Sequence, residues 1–493
     1  MLTQPDPLAA GAGTHGRASA RPPASISAGS GHVLALLVGA LLMFNMVLHY
    51  PGTMSNDSIN QYAEAVSGRY SDWHPPVMAW LWSVLRVFGE GPAPFLVLHL
   101  LMYWAGFGLL ADGTRRAGHP RLALAIALAG AFPPFLYLNA SVVKDVGMVS
   151  FWLAAIGLLY WHRVQGRRIA LPWAVMIAAL LLYGTLVRSN AVFALGPVLM
   201  YALAPARWLR SGRLMAGAML IAVLAIPLAQ QLNRVLFQPQ QRDPVHSLFL
   251  YDLLGIAVHE HDPALLEPRA TLSAAQLKDC YTPYWWDSLS PWGRCGSLTH
   301  RPDTDHATVG GGLAVQWAKT IASHPVAYAT HRLKHFNSAI LFAVPPKHIR
   351  LTPEYQTGDP ARPPLEIVTA RDIKLDILRK NPFVWPVVWL AWGLGLLVFL
   401  AREPDRVPVL LARTLIVSAL GYSFAYLVIG VATDMRYHYW TLIAMLLATL
   451  VALPQLGEGL RRRSAWLAGA AAAVLVVIAV GVVTRLADFR AFV

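Results

Sequence analysis

Residues 55–82 hold Asp57, Glu64, Asp72 and His74, then Pro75-Pro76 and an apolar run rich in tryptophan. The stretch follows the first long apolar segment directly, so it lies where the chain would leave a membrane. A carboxylate at that boundary, Asp57, can act as general base on an acceptor hydroxyl within hydrogen-bond reach. It can equally hold a divalent metal, and Asn56 or Asp57 could simply cap a helix running through Ala65. Asp72, two residues before His74, could orient the imidazole or share a proton with it. The double proline breaks the helix and fixes the direction of 77–88. A plain turn with Trp73 anchored at the interface would also account for these residues.

Three shorter stretches carry further chemistry. Asn139 to Asp145 ends in Lys144-Asp145, a pair that is costly to desolvate at the mouth of a span unless it is paired or used. Lys144 could bind phosphate, with Asp145 positioning it, a metal or an acceptor. Snorkelling at the interface is the other reading. Arg188-Ser189-Asn190 offers a guanidinium suited to bidentate contact with phosphate or pyrophosphate, or to an ion pair with a bundle acid. The run Thr433 to Trp440 packs Asp434, Arg436, Tyr437 and His438 among aromatics, which serve as sugar-stacking faces or interface anchors. Arg436 is the second candidate for phosphate.

The elements that must position these residues are helices. The 493 residues are 56% hydrophobic and 13% charged, about half the charge of a soluble domain. Apolar runs recur at about 33–50, 93–112, 121–138, 146–162, 171–187, 191–205, 214–230, 383–401, 408–430, 440–453 and 465–484. The expected fold is an all-α polytopic membrane protein with about 11 transmembrane helices. The 12-residue run 77–88 is too short to cross. If it lies at the surface, the N-terminal tail and the clusters at Arg115/Arg116, Arg163/Arg167, Arg207/Arg210, Arg402/Arg406 and Arg461/Arg462 share one side, as the positive-inside rule requires. The N-terminus is then inside and the C-terminus outside. The first loop, 139–145, 188–190, a long segment and 433–439 all fall on the outer side, free to build one pocket.

This reading divides the chain into a disordered tail (1–31), an N-terminal membrane module (32–230) with its first outer loop (51–92), a mixed or helical outer domain (231–382) and C-terminal helices (383–493). The formal net charge of +14 is explained by inner loops rather than by nucleic acid. The two cysteines, Cys280 and Cys295, lie in the outer segment, where a disulfide is expected if it faces an oxidising compartment. His324, His331 and His335 lie near one face of a helix broken at His324-Pro325. With no completing acid or cysteine they argue against zinc and for a basic, membrane-facing helix with Arg332 and Lys334. Tyr251-Asp252 and residues 259–262 are polar clusters of no evident role. Residues 344–365 hold six prolines and read as an extended loop. No phosphate-cradling glycine loop and no Gly-x-Ser-x-Gly elbow occurs.

An acid after the first span, His74-Pro75-Pro76 opening a juxtamembrane helix, a second-loop acid and Asp434-x-Arg436-Tyr437 late in the chain resemble bacterial GT-C glycosyltransferases. The similarity is to the protein mannosyltransferase and aminoarabinose transferase branch. It covers about residues 33–230 well and the last spans less clearly. The resemblance implies transfer of a sugar from a polyprenyl-phosphate donor to a lipid, glycan or protein acceptor, at the outer (periplasmic) face of the inner membrane. It implies catalytic acids at Asp57 and Asp145, donor contacts at Arg188 and Arg436, and leaves open a divalent cation, Mg or Mn, held by Asp57 and Asp145. Lys144-Asp145 departs from the acidic arrangement of many relatives. Two other readings remain: a flippase or transporter for a lipid-linked sugar, and an O-antigen ligase or polymerase. Transport sites usually lie near the midplane on broken helices, whereas here the polar residues gather at one face.

Overall fold

The computed structural model describes residues 28–204, 208–209, 211–224, 226–267, 270, 272–291, 293–296, 309–345, 355–357 and 380–487. Most of the expected tail and of the proline-rich loop lies outside them. Among the described residues, five helices are long and apolar enough to cross a membrane. These are α1 (Ala28–His49), α4 (Ala93–Arg116), the pair α10 (Gly212–Leu224) and α11 (Ile226–Phe237), α17 (Val407–Ile429) and α20 (Ala465–Leu486). Two bent pairs raise the number to seven: α5 (Pro120–Ala129) with α6 (Pro133–Asn139), and the run Met435–Val451 with α19 (Leu453–Arg461). Three of the other runs expected to span form helices shorter than about 20 residues: α8 (Leu171–Val187), α9 (Val192–Leu203) and α16 (Pro386–Leu400). Among the described residues, length and composition thus mark five crossings, or seven with each bent pair taken as one span.

The centre of the bundle is the pairing of α4 with α7 (Lys144–Val164). Two glycines permit it. A Cβ on Gly106 would come within 2.6 Å of the Leu153 carbonyl carbon, and one on Gly157 within 2.9 Å of the Gly106 oxygen. Bare backbone lets the helices meet where a methyl group would force them apart. Gly147 lies against His99, Gly106 against Leu153 and Gly113 against Tyr160, so the two helices run parallel. The return between them is α5–α6, bent by 49° where Pro133-Pro134 interrupts the helix.

That parallel packing fixes what α3 (Val77–Leu85) does. Ala93 and Lys144 lie at the same end of the bundle, and Trp82 Nε1 donates to the Gly91 oxygen at 3.0 Å just before α4 begins. The run 77–88 therefore leaves the chain at the end where it found it. Arg115 and Arg116 pair with Asp112 at the opposite end, where Trp161 also donates to Asp112.

Residues 245–345 contribute a helical unit made of α12 (Val245–Glu260), α13 (Ala274–Cys280), α14 (Val309–Ser323) and α15 (Pro325–Ala339). Its core of Leu250, Leu253, Leu254, Leu277, Leu289 and Leu313 is separate from that of the bundle. Cys280 and Cys295 are joined by a disulfide. The helix broken at His324-Pro325 is present, but its expected membrane-facing character is not. His331, Arg332 and His335 are buried: Asp252 on α12 faces His331 and Arg332, and the Pro283 oxygen and Tyr251 hydroxyl lie against His335 Nδ1. The short strand β1 (Thr53–Ser55) pairs antiparallel with β2 (Tyr355–Thr357).

Candidate active site

Asp57 reaches the site because it does not cap its helix. The cap of α2 (Asn56–Ser67) is Ser55, whose hydroxyl accepts from the Ser58 amide, rather than Asn56 or Asp57. Asp57 sits in the first turn, where the helix dipole favours a carboxylate, and its side chain is left to point outward. Backbone bonds set this turn against the second loop. Thr53 N–H donates to the Ala140 oxygen at 2.8 Å, and Val142 N–H to the Thr53 oxygen at 2.9 Å. The Ser58 hydroxyl donates to the Val142 oxygen at 2.5 Å. The last loop is tied in by the Tyr439 hydroxyl, which donates to Asn139 Oδ1 at 2.7 Å.

Arg436 is the hub. Its Nη2 lies 3.0 Å from Asp57 Oδ2, its Nη1 3.8 Å from Asp145 Oδ2 and its Nε 3.3 Å from Asp434 Oδ2. Arg188 takes the other oxygen of Asp145, Nε to Oδ1 at 3.1 Å. Its guanidinium lies 4.6 Å from the Tyr437 ring centroid. The third cation, Lys144, places Nζ 2.9 Å from His74 Nδ1, and His74 Nε2 lies 3.9 Å from Asp57 Oδ1. Eight of the nine expected catalytic and substrate-binding residues thus meet in one cluster.

Asp72 is the ninth, and it lies apart. Its carboxylate accepts from the Arg242 amide and its own amide donates to the Gln240 oxygen, which ties the first loop to the chain leaving α11. The carboxylate paired with His74 is Asp57 instead.

Charge and burial give the members different characters. The Asp145 side chain is 1% exposed and that of Arg436 4%, while Asp57 shows 32%. Asp57 is thus the acid an incoming group can reach. Burial alone would raise its pKa, but Arg436, Lys144 and His74 hold it well below the usual carboxylate range. Burial, reinforced by Lys144, lowers His74 to about 3, so the ring is neutral. With Nδ1 accepting from the ammonium, its proton resides on Nε2, toward Asp57. Lys144, Arg188 and Arg436 balance Asp57, Asp145 and Asp434.

A divalent cation between Asp57 and Asp145 would have to displace Arg436, and no group of three or more His, Cys, Asp or Glu is disposed to hold a metal among the described residues. The residues as arranged do not fit one.

Residues 73–229 match the family model of dolichyl-phosphate-mannose-protein mannosyltransferase. This is a GT-C type family, and the match supports a membrane glycosyltransferase of that type. It covers about a third of the chain, from Trp73 to the start of α11, and includes His74, Lys144, Asp145 and Arg188. Asp57 and Arg436 lie outside it. Comparison with curated proteins and with solved structures finds no match.

Two contributors escaped the sequence reading. Tyr426, on α17, accepts from Arg188 at 3.1 Å and from Asn190 at 2.6 Å and stacks on Tyr437 with ring centroids 5.8 Å apart. A tyrosine in an apolar helix carries no signal of this. Ser55 could have been found from its capping-box partner Ser58.

Proposed function

We propose that the chain transfers a sugar from a polyprenyl-phosphate donor to a hydroxyl-bearing acceptor, at the periplasmic face of a bacterial inner membrane. One observation carries this reading: a single guanidinium, Arg436, stands between a reachable carboxylate, Asp57, and a buried acid–arginine pair, Asp145–Arg188. Base and phosphate subsites are then one side chain apart.

The acceptor hydroxyl approaches Asp57. As its oxygen bonds to the anomeric carbon, its proton passes to the Asp57 carboxylate and the anomeric carbon–oxygen bond to phosphate breaks. The electron pair leaves with the polyprenyl phosphate, whose charge is met by Arg436, Arg188 and Lys144. These cations are already fixed by carboxylates and by His74, so little reorganisation is needed in a water-poor site. A guanidinium bound to Asp57 makes that carboxylate a weak base. A donor phosphate that drew Arg436 toward itself would restore basicity to Asp57 when a donor is present.

Eleven crossings with the N-terminus inside remain part of this proposal, as does the outer position of residues 231–382. The test is to supply the reconstituted protein with polyprenyl-phosphate sugars and follow the lipid. Release of free polyprenyl phosphate with sugar on a new hydroxyl supports transfer. Movement of the intact sugar-lipid between leaflets would make the chain a flippase and end the transferase reading.

A further inference from the structure

Asp252 and Arg332 form a buried ion pair that the chemistry above does not use. The carboxylate is fully buried and the guanidinium 3% exposed. Asp252 Oδ1 faces both Arg332 Nη2 and His331 Nε2, the latter at 3.3 Å, and Oδ2 accepts from Trp317 Nε1 at 2.8 Å. Such a pair is weak evidence for stability, since apolar side chains of similar volume often serve as well. Its placement suggests another use.

Arg332 Nη1 donates to the carbonyl oxygen of Gly430 at 2.6 Å. Gly430 ends α17 and is separated from Arg436 by only five residues. One residue on, the Val431 oxygen accepts from the Trp286 amide at 2.9 Å. A Cβ on Gly430 would stand 2.6 Å from His335 Nε2, so the strap is pressed against α15 where it begins. Beyond it the chain tightens into the turn Met435–His438, which leaves little slack before Arg436. The 245–345 core also takes in two side chains from the loops of the cluster: Val431 and Trp73, the neighbour of His74. The Trp73 and Trp286 rings lie 5.9 Å apart.

We infer that Arg332, held by Asp252, is a positioning residue that fixes the 430–434 strap and so aims Arg436 between Asp57 and Asp145. Through this latch the 245–345 unit sets the geometry of the phosphate subsite without touching it. The inference rests on the donor-phosphate role of Arg436 proposed above.

The experiment measures binding of bare undecaprenyl phosphate to the full-length protein in nanodiscs, together with thermal midpoints. Arg332→Met leaves the Asp252 carboxylate to His331 and Trp317 alone, and Asp252→Leu leaves Arg332 without its acid; each strands a buried charge and should lower both stability and affinity. The double variant Arg332→Met/Asp252→Leu leaves none. Its midpoint should return close to wild type while its affinity stays about tenfold lower, the loss of roughly 1.4 kcal/mol expected from a slackened arginine contact. Gly430→Ala keeps the ion pair and should lower affinity by a similar factor, which tests the latch even if the double variant folds poorly. Wild-type affinity in the double variant or in Gly430→Ala would overturn the latch. Arg436→Ala distinguishes the two levels: if it binds undecaprenyl phosphate like wild type, the phosphate role of Arg436 fails and the latch falls with it.

Discussion

The charged residues of the cluster only make sense together. Asp57 is the reachable acid and Arg436 its partner, so Asp57→Asn should keep donor binding and lower turnover by about 100-fold or more, the usual contribution of a general base. Steady-state kinetics with a separate binding measurement checks this. The histidines predict how stability depends on acidity. His74 and His335 are held at about 3 by burial, far below the value of about 6.5 in an unfolded chain. A lowered histidine favours the neutral form in the fold. Its contribution is therefore complete above pH 6.5 and shrinks as pH falls toward 3, by at most about 1.4 kcal/mol per histidine for each pH unit. The depressed Asp57 adds a loss in the same direction below about pH 4. Thermal midpoints should fall steadily from pH 7 to pH 4, and His335→Gln should flatten that slope if it folds. The types of most site residues were legible in the sequence, because charge beside an apolar span is expensive and so conspicuous. Asp72 is the exception: it is close to His74 along the chain but turns toward Arg242 and Gln240 in space.

Elements turn these residues into a site, and here the sequence was read less well. The proline break after His74 and the shortness of 77–88 point to a helix that does not carry the chain across. The parallel α4–α7 packing agrees, and it depends on Gly106 and Gly157, which look unremarkable in an apolar run. Gly106→Ala should push α7, with Lys144 and Asp145 at its start, away from α4. A loss of about 1–3 kcal/mol and a lower thermal midpoint are expected, whereas Gly39→Ala on α1, where a Cβ would meet nothing within 4 Å, should leave the midpoint unchanged or slightly raised. The helix 325–339 departs from its expected surface character for a related reason. Its histidines and Arg332 look like a basic surface until Asp252, more than seventy residues earlier, is brought against them. Periodicity within one helix cannot report a partner on another.

For the whole molecule, the 245–345 unit and the bundle meet at the loops that build the cluster. The disulfide closes a 15-residue separation beside Trp286, so Cys280→Ser/Cys295→Ser should cost the unit about 3 kcal/mol, read as a lower midpoint that reducing agent reproduces in the wild type. Cysteine labelling in whole cells at the exposed positions 90 and 118 tests the sidedness. Position 90 should label from outside and 118 should not. Labelling of 118 from outside would invert the chain after the first loop. The role of Asp57 as base is tested most directly by single-turnover release of polyprenyl phosphate from polyprenyl-phosphate sugars, comparing wild type with Asp57→Asn. The wild type should give a burst of released polyprenyl phosphate, and the variant should hold bound but intact donor. Release at the wild-type rate from Asp57→Asn would rule out Asp57 as the base.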